Sequence, residues 1–198
     1  ILSYITDQFI GVTNQVVIDL KSRGIGSKKK WKVIHPGVSL RPSVDKKKAR
    51  FELSIPEQSF IVLWIGRFTD IKNPLLAIKS IEKINSNRKN DVILYMAGDG
   101  ELMADCKAYV ESKNVSVIFL GWVEDPTIVL SASDLLLMTS RNEGMPVVIV
   151  EAALQGIPTI ATDVGGISDF VVDGSTGWLT SQAPTEIANR IGSITKGD

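Results

Sequence analysis

From residue 60 onward the chain alternates apolar, β-branched-rich runs with stretches of helical length, and few architectures accommodate that pattern. The runs cover 60–65, 92–97, 115–120, 135–139 and 159–161, and the intervening helices are predicted over 74–85, 101–112, 125–131, 146–155 and 184–194. The runs are continuously apolar rather than alternating, so each strand is buried on both faces. Such strands, separated by helices, predict an α/β fold with a doubly wound parallel sheet. Ligands of these sheets sit beyond the carboxyl ends of the strands, which places any chemistry in the loops that follow them.

The residues before 60 are less regular. Residues 8–13 read as a short strand, and Asn14 as the cap of a helix running to about Arg23 and ended by Gly24 and Gly26. A basic stretch at 28–32 leads through Val33-Ile34 to the turn His35-Pro36-Gly37, and one short charged helix is expected over 45–53. A domain boundary falls near 36–44.

Composition excludes some functions. Lys+Arg and Asp+Glu both number 22, so the basic excess of a general nucleic-acid binder is missing. One cysteine, Cys106, permits no disulfide within the chain and fits a reducing cytoplasm. No apolar run approaches the roughly 20 residues of a membrane span, and no secretory signal is visible. The chain begins with Ile1 rather than Met, as a piece of something longer would.

Three loops concentrate the chemistry. The first strand ends in Gly66-Arg67, and Lys72, Asn73 and Pro74 follow. Asn73 suits a helix cap and Pro74 the first helical position. Arg67 and Lys72 therefore flank a helix N-terminus with unpaired N–H groups, where two cations would hold a diphosphate. Two solvated surface side chains are the plainer reading. The strand over 135–139 leads to Glu143-Gly144-Met145-Pro146, with Pro146 as the first helical residue and Gly156 as the stop. Gly144, Met145 and Val147 then offer backbone N–H groups to an anion or a sugar hydroxyl.

Glu151 sits among Val147, Val148, Ile149, Val150, Ala152, Ala153 and Leu154, where a carboxylate needs partners. The two hydroxyls of a ribose would satisfy it, and so would an exposed helix face or a neighbouring cation. The run of four β-branched residues before it also admits a strand.

Other signals are weaker. Gly98-Asp99-Gly100 opens like a dinucleotide fingerprint, but Met103 occupies the third glycine position and no acid ends a strand about 20 residues on. It reads as a tight turn. No His/Cys cluster or Asp-x-Asp pair suggests a metal. His35 reads as structural, and Asp169 and Asp173 as turn formers. Lys28–Lys30 and Lys46–Lys48 are solvated charge or, alternatively, a peripheral membrane patch.

Together these loops resemble the family 4 glycosyltransferases. The residues that carry the resemblance are Gly66-Arg67 with Lys72-Asn73, Gly98-Asp99-Gly100, Gly121-Trp122-Val123, and Glu143-Gly144-Met145-Pro146 through Glu151-Ala152. Asp163-Val164-Gly165-Gly166, Asp173-Gly174 and Gly177 follow in the same order. The resemblance spans about residues 32–182 and implies the C-terminal, Rossmann-like half of a GT-B fold. Residues 1–37 would then be the end of an N-terminal domain with the hinge, and residues 38–198 the donor-binding domain.

It further implies a retaining transfer from a nucleotide diphosphate sugar, without a bound metal or other cofactor. Arg67 and Lys72 would bind the diphosphate, and Glu143 would lie near the donor sugar. Gly66 and Gly98 would line the site, and Gly144, Met145 and Val147 would present their N–H groups. Val123 would touch the base and Glu151 the ribose. The acceptor, a glycolipid or polysaccharide, would be bound by an N-terminal domain whose glycine-rich loop and histidine are not found here, so this piece alone is expected to be inactive. The general flavour is similar to bacterial enzymes of lipopolysaccharide core or capsule synthesis, with a GDP-mannose donor as the first guess. A nucleotide-sugar epimerase or phosphorylase of the same fold, a non-catalytic binding module and, most weakly, a dehydrogenase are the alternatives.

Overall fold

The computed structural model describes residues 5–26, 30–39, 42–85 and 92–197; Lys28 and Lys29 of the basic stretch lie outside them. The elements run β1 (Phe9–Gly11), α1 (Asn14–Ser22), β2 (Trp31–Val33), α2 (Lys46–Glu52), β3 (Phe60–Ile65), α3 (Pro74–Asn85), β4 (Val92–Ala97), α4 (Met103–Lys113) and β5 (Val117–Gly121). They continue as α5 (Thr127–Ala132), β6 (Leu135–Met138), α6 (Val147–Leu154), β7 (Thr159–Thr162), a short 3-10 turn (Ile167–Asp169), β8 (Gly177–Thr180) and α7 (Pro184–Ile194). No described helix is long and apolar enough to cross a membrane.

Two sheets result. β1 and β2 pair in parallel around α1, and the larger sheet has the order β5-β4-β3-β6-β7-β8, also parallel. The expected doubly wound sheet is therefore present. Its central strands are closed to solvent on both faces: Ile61, Val62, Leu63, Leu135, Leu136 and Leu137 all have zero exposure. Val62 and Trp64 join Ile78 and Ile81 of α3, Cys106 of α4 and Ile187 and Ile191 of α7 in one core cluster. Ile61 and Leu63 point the other way, to Ala49 of α2, Leu130 of α5 and Ile149 and Ala152 of α6. The period of two along β3 thus feeds two cores, and each large side chain fully buried there contributes about 1.5–3 kcal/mol.

Helix α2 is fixed to the sheet by charge. Arg50 is 6% exposed; its Nε donates to the Ala132 carbonyl at 3.0 Å, Nη1 to the Glu57 carbonyl at 2.6 Å, and Nη2 to Asp134 Oδ2 at 2.7 Å. Asp134 Oδ2 also accepts from the Ile61 N–H at 2.6 Å.

Several local expectations are corrected. Thr13, not Asn14, caps α1: its backbone is extended (φ −146°) and its hydroxyl accepts from the Val16 N–H at 3.2 Å. Asn73 has φ +49°, left-handed rather than the extended geometry of a cap, a conformation that Asn tolerates better than most residues. Pro146 sits one residue ahead of the first helical position, and the β-branched run that follows it is helix α6 rather than strand. β8 and β2 were not foreseen as strands.

The chain order of the large sheet creates one crevice. After β3 the chain moves outward through β4 to β5, then returns to the other side of β3 with β6, β7 and β8. The connection from β3 goes to one face and that from β6 to the other, so the loops diverge between these two strands. Ligands of open parallel sheets bind at such a switch point.

Candidate functional site

Lys72, from the loop after β3, meets Glu143, from the loop after β6, at the switch point. Lys72 Nζ lies 2.5 Å from Glu143 Oε1, with the two side chains 26% and 9% exposed. The same oxygen accepts from Ser140 Oγ at 2.5 Å. A carboxylate so little exposed needs such donors, because desolvation without them is costly.

The supporting contacts hold both loops in place. Thr139 Oγ1 donates to the carbonyls of Asn73 (2.9 Å) and Lys72 (3.2 Å), and itself accepts from Trp64 Nε1 at 3.0 Å. The Arg141 N–H reaches the Ile71 carbonyl at 2.7 Å. Thr162 Oγ1 donates to the Ser140 carbonyl at 2.6 Å. The end of β6 therefore fixes the backbone beneath Lys72 and the carboxylate beside it with two consecutive polar residues.

The backbone around Glu143 is equally confined. Its carbonyl accepts from the Gly166 N–H at 3.0 Å. Gly165 has φ +56°, and a Cβ placed on it would lie 2.0 Å from that same carbonyl oxygen, so glycine is required twice over. Next to Lys72, the loops after β3, β4 and β5 are stacked: Gly66 N–H donates to Ala97 O at 3.0 Å and Gly98 N–H to Gly121 O at 2.7 Å. A Cβ on Gly98 would lie 1.9 Å from the Gly66 carbonyl oxygen. Asp99 Oδ1 accepts from the Gly100 N–H at 2.7 Å, and residues 98–100 are irregular rather than the tight turn expected, the turn following at 101–102.

The remaining candidates are distributed along this rim. Arg67 is exposed beside Gly66, and Gly144 and Met145 are half-buried ahead of α6. Val147 is the first residue of α6, where N–H groups lack intrahelical partners. Val123 packs its side chain against the core shared with α5 and α6. Glu151 is half-buried, one turn along α6 from Val147, and borders a small recess with Ser39, Pro126, Thr127, Leu130, Leu154 and Gln155. The loop carrying Val123 thus reaches the neighbourhood of Glu151 through Pro126. Among the described residues no group of three or more His, Cys, Asp or Glu side chains is placed to hold a metal ion. His35 packs edge-on against Phe170 with Nδ1 2.8 Å from the Val12 carbonyl, a structural role.

Thr139 and Ser140 escaped the sequence reading, and Asp169 reads there only as a turn former. The available signal for the first two was a hydroxyl pair ending an otherwise wholly apolar strand. Asp169 does end the short 3-10 turn, its N–H donating to the Gly166 carbonyl at 3.2 Å, and its Oδ2 also accepts from the backbone N–H of Asn14 at 2.9 Å and from Asn14 Nδ2 at 3.3 Å.

Residues 45–198 match the family described as glycosyl transferases group 1. One similar protein is the UDP-Gal:alpha-D-GlcNAc-diphosphoundecaprenol alpha-1,3-galactosyltransferase of Escherichia coli, 34% identical over 158 residues, covering 76% of this chain and 41% of that protein. Another is the GalNAc-alpha-(1->4)-GalNAc-alpha-(1->3)-diNAcBac-PP-undecaprenol alpha-1,4-N-acetyl-D-galactosaminyltransferase of Campylobacter jejuni, 31% identical over 124 residues, covering 62% of this chain and 34% of that protein. Among solved structures, HepE of Anabaena in complex with UDP superimposes with a TM-score of 0.86 at 25% identity, covering 96% of this chain and 54% of that one. The chain therefore spans well under half the length of these curated relatives and about half of this structure.

Proposed function

The chain belongs to the group 1 glycosyl transferases, and from that premise we propose that it forms the donor-binding part of a retaining glycosyltransferase. The enzyme moves a sugar from a nucleoside diphosphate sugar to a glycolipid or polysaccharide acceptor. The observation that carries this reading is the meeting of Lys72 and Glu143 at the switch point of the sheet, 2.5 Å apart.

The hard step in such a transfer is charge building on the departing diphosphate. Fixed cations stabilise that charge best, because they need no reorganisation at the moment of reaction. Lys72 supplies a point charge on a braced backbone, and Arg67 a bidentate fork from the adjacent exposed position. The N–H groups of Gly144, Met145 and Val147 at the start of α6 add dipoles of the same sign. Glu143 takes two donors on one oxygen; a carboxylate has about four acceptor positions, so a sugar hydroxyl can still bind it. Glu151, in its recess, accepts the ribose hydroxyls, and the backbone at Val123 meets the base. Gly66 and Gly98 keep the floor of the site free of side chains.

The donor named for the Escherichia coli relative and the UDP held by HepE support a uridine donor. GDP-mannose, suggested by the general resemblance, is the second candidate. The acceptor site belongs to the part of the relatives that this chain does not span. Peripheral contact with a membrane-held acceptor, by way of Lys46–Lys48, is part of the proposal. Calorimetry of this chain with UDP, GDP, ADP and NADH tests the assignment. Binding of UDP or GDP at sub-millimolar levels, with no sugar transfer, is expected; no binding by either at millimolar concentration would remove it, and binding of NADH alone would favour a dehydrogenase.

A further inference from the structure

The loop over 163–170 touches two things at once. On one side it brackets the Glu143 backbone: the Gly166 N–H donates to the Glu143 carbonyl, and a Cβ on Gly166 would lie 2.3 Å from the Gly144 carbonyl oxygen. On the other side that same Cβ would lie 2.5 Å from Thr13 Oγ1, and Thr13 is completely buried. Gly144 in turn faces Val12 and Val16, whose methyl carbons would stand 3.5 and 3.9 Å from a Cβ there. Residues 12–16, the start of α1, are therefore seated directly on the Glu143–Gly144 and Gly165–Gly166 backbones. The polar link across this seat is Asp169, whose Oδ2 receives both the N–H and the side-chain amide of Asn14. The geometry satisfies two donors of a helix start with one carboxylate borrowed from 155 residues away.

We infer that Asp169 is a positioning residue: it clamps the start of α1 onto the Gly165–Gly166 turn and thereby fixes the loop that carries Glu143. The consequence for catalysis rests on the donor-binding reading of that loop, but the clamp itself does not. Motion of the β1–α1–β2 unit is then transmitted to Glu143 through the seat of residues 12–16 on Gly144 and Gly166.

The clamp can be opened from either end. Asp169→Asn removes the charge. Asn14→Pro removes both donors while suiting the helix, since Asn14 is its first residue and Thr13 before it is extended, as a residue preceding proline prefers. Amide hydrogen exchange on the 198-residue chain, without nucleotide, reads the result. Each single variant is expected to raise exchange at Gly166, whose N–H is bonded to the Glu143 carbonyl, by about tenfold, the factor expected for loss of a charge-assisted hydrogen bond. The urea midpoint of the large sheet stays unchanged, and Asp169→Glu restores protection. The double variant exchanges no faster than either single one, since both open the same contact. Unchanged exchange at Gly166 in both single variants, or effects that add in the double, would overturn the clamp. In the full-length protein the same substitutions lower kcat about tenfold on UDP-galactose or GDP-mannose, whichever it uses, and leave donor KM in place. Loss confined to KM would refute the positioning role. Failure to bind any nucleotide would remove the donor-binding reading while leaving the exchange result to stand on its own.

Discussion

At the scale of single residues, Lys72 and Glu143 are partners in the structure and, under the proposed donor-binding role, rivals for a diphosphate. In that role a diphosphate would share the ammonium group with a carboxylate 2.5 Å away. Removing either side of the pair therefore has opposite effects on binding. Lys72→Ala is expected to weaken UDP or GDP binding and to lower turnover in the full-length enzyme by roughly 10²–10³, the usual loss for a preorganised charge at a developing anion. Glu143→Gln keeps the shape and the Ser140 contact but frees the lysine charge. Nucleotide diphosphate should then bind a few-fold tighter while turnover falls, a divergence that calorimetry and steady-state kinetics together resolve. Parallel weakening of binding by both substitutions would mean that Glu143 holds Lys72 in place rather than competing for it. The two residues were singled out in the sequence because each stands in a loop after an apolar run, within two residues of a glycine or proline. Ser140 and Asp169 were not, because their importance lies in hydrogen bonds to residues 3 and 155 positions away, and neither type is unusual in a loop.

At the scale of elements, the long apolar runs declared themselves. β3, β4, α3 and α7 fall on the predicted residues, since continuous burial, Pro74 and Pro184 mark them without help from distant neighbours. β8 (Gly177–Thr180) carries no such run; it becomes a strand by pairing with β7 along its whole length, which only the folded sheet supplies. The charged segment that forms α2 was legible as a helix, whereas its anchor was not. Arg50 is 6% exposed, and all three of the acceptors it reaches lie in other segments. Asp134→Ala should therefore be far more damaging than an ordinary surface substitution. It strands a buried guanidinium and leaves the Ile61 N–H without its carboxylate, a loss of about 3–5 kcal/mol. A urea titration should show this as a large drop in midpoint at constant slope. Arg50→Lys should recover little, because an ammonium cannot reproduce the three-way fork. A midpoint shift below about 1 kcal/mol would show that the pair is only a surface contact.

At the scale of the whole molecule, the two cores are built without the unit proposed to end at residue 37. Neither core cluster includes a described residue before Val44. The β1–α1–β2 unit instead carries Ile10, Ile18 and Ile34 at 60%, 57% and 52% exposure and meets the rest through residues 12–16 and the His35–Phe170 contact. Its loss should thus cost the large sheet no core packing. A chain starting at residue 38 is expected to fold with an unchanged urea midpoint and to bind nucleotide within a few-fold of the longer chain. Cys106 provides the readout. It is 1% exposed within the core formed with α3 and α7, and burial, reinforced by the nearby Asp105 charge, pushes its thiol up to about 11. The thiolate is the reactive form, so at pH 8 the folded protein should resist alkylation and label only when the core opens. Equal protection of Cys106 in the two chains, together with faster exchange at Gly166 in the shorter one, would separate what the first 37 residues do for the site from what they do for the fold. Labelling that accelerates on truncation would show that the sheet leans on the β1–α1–β2 unit after all, and the boundary at residue 37 would have to move.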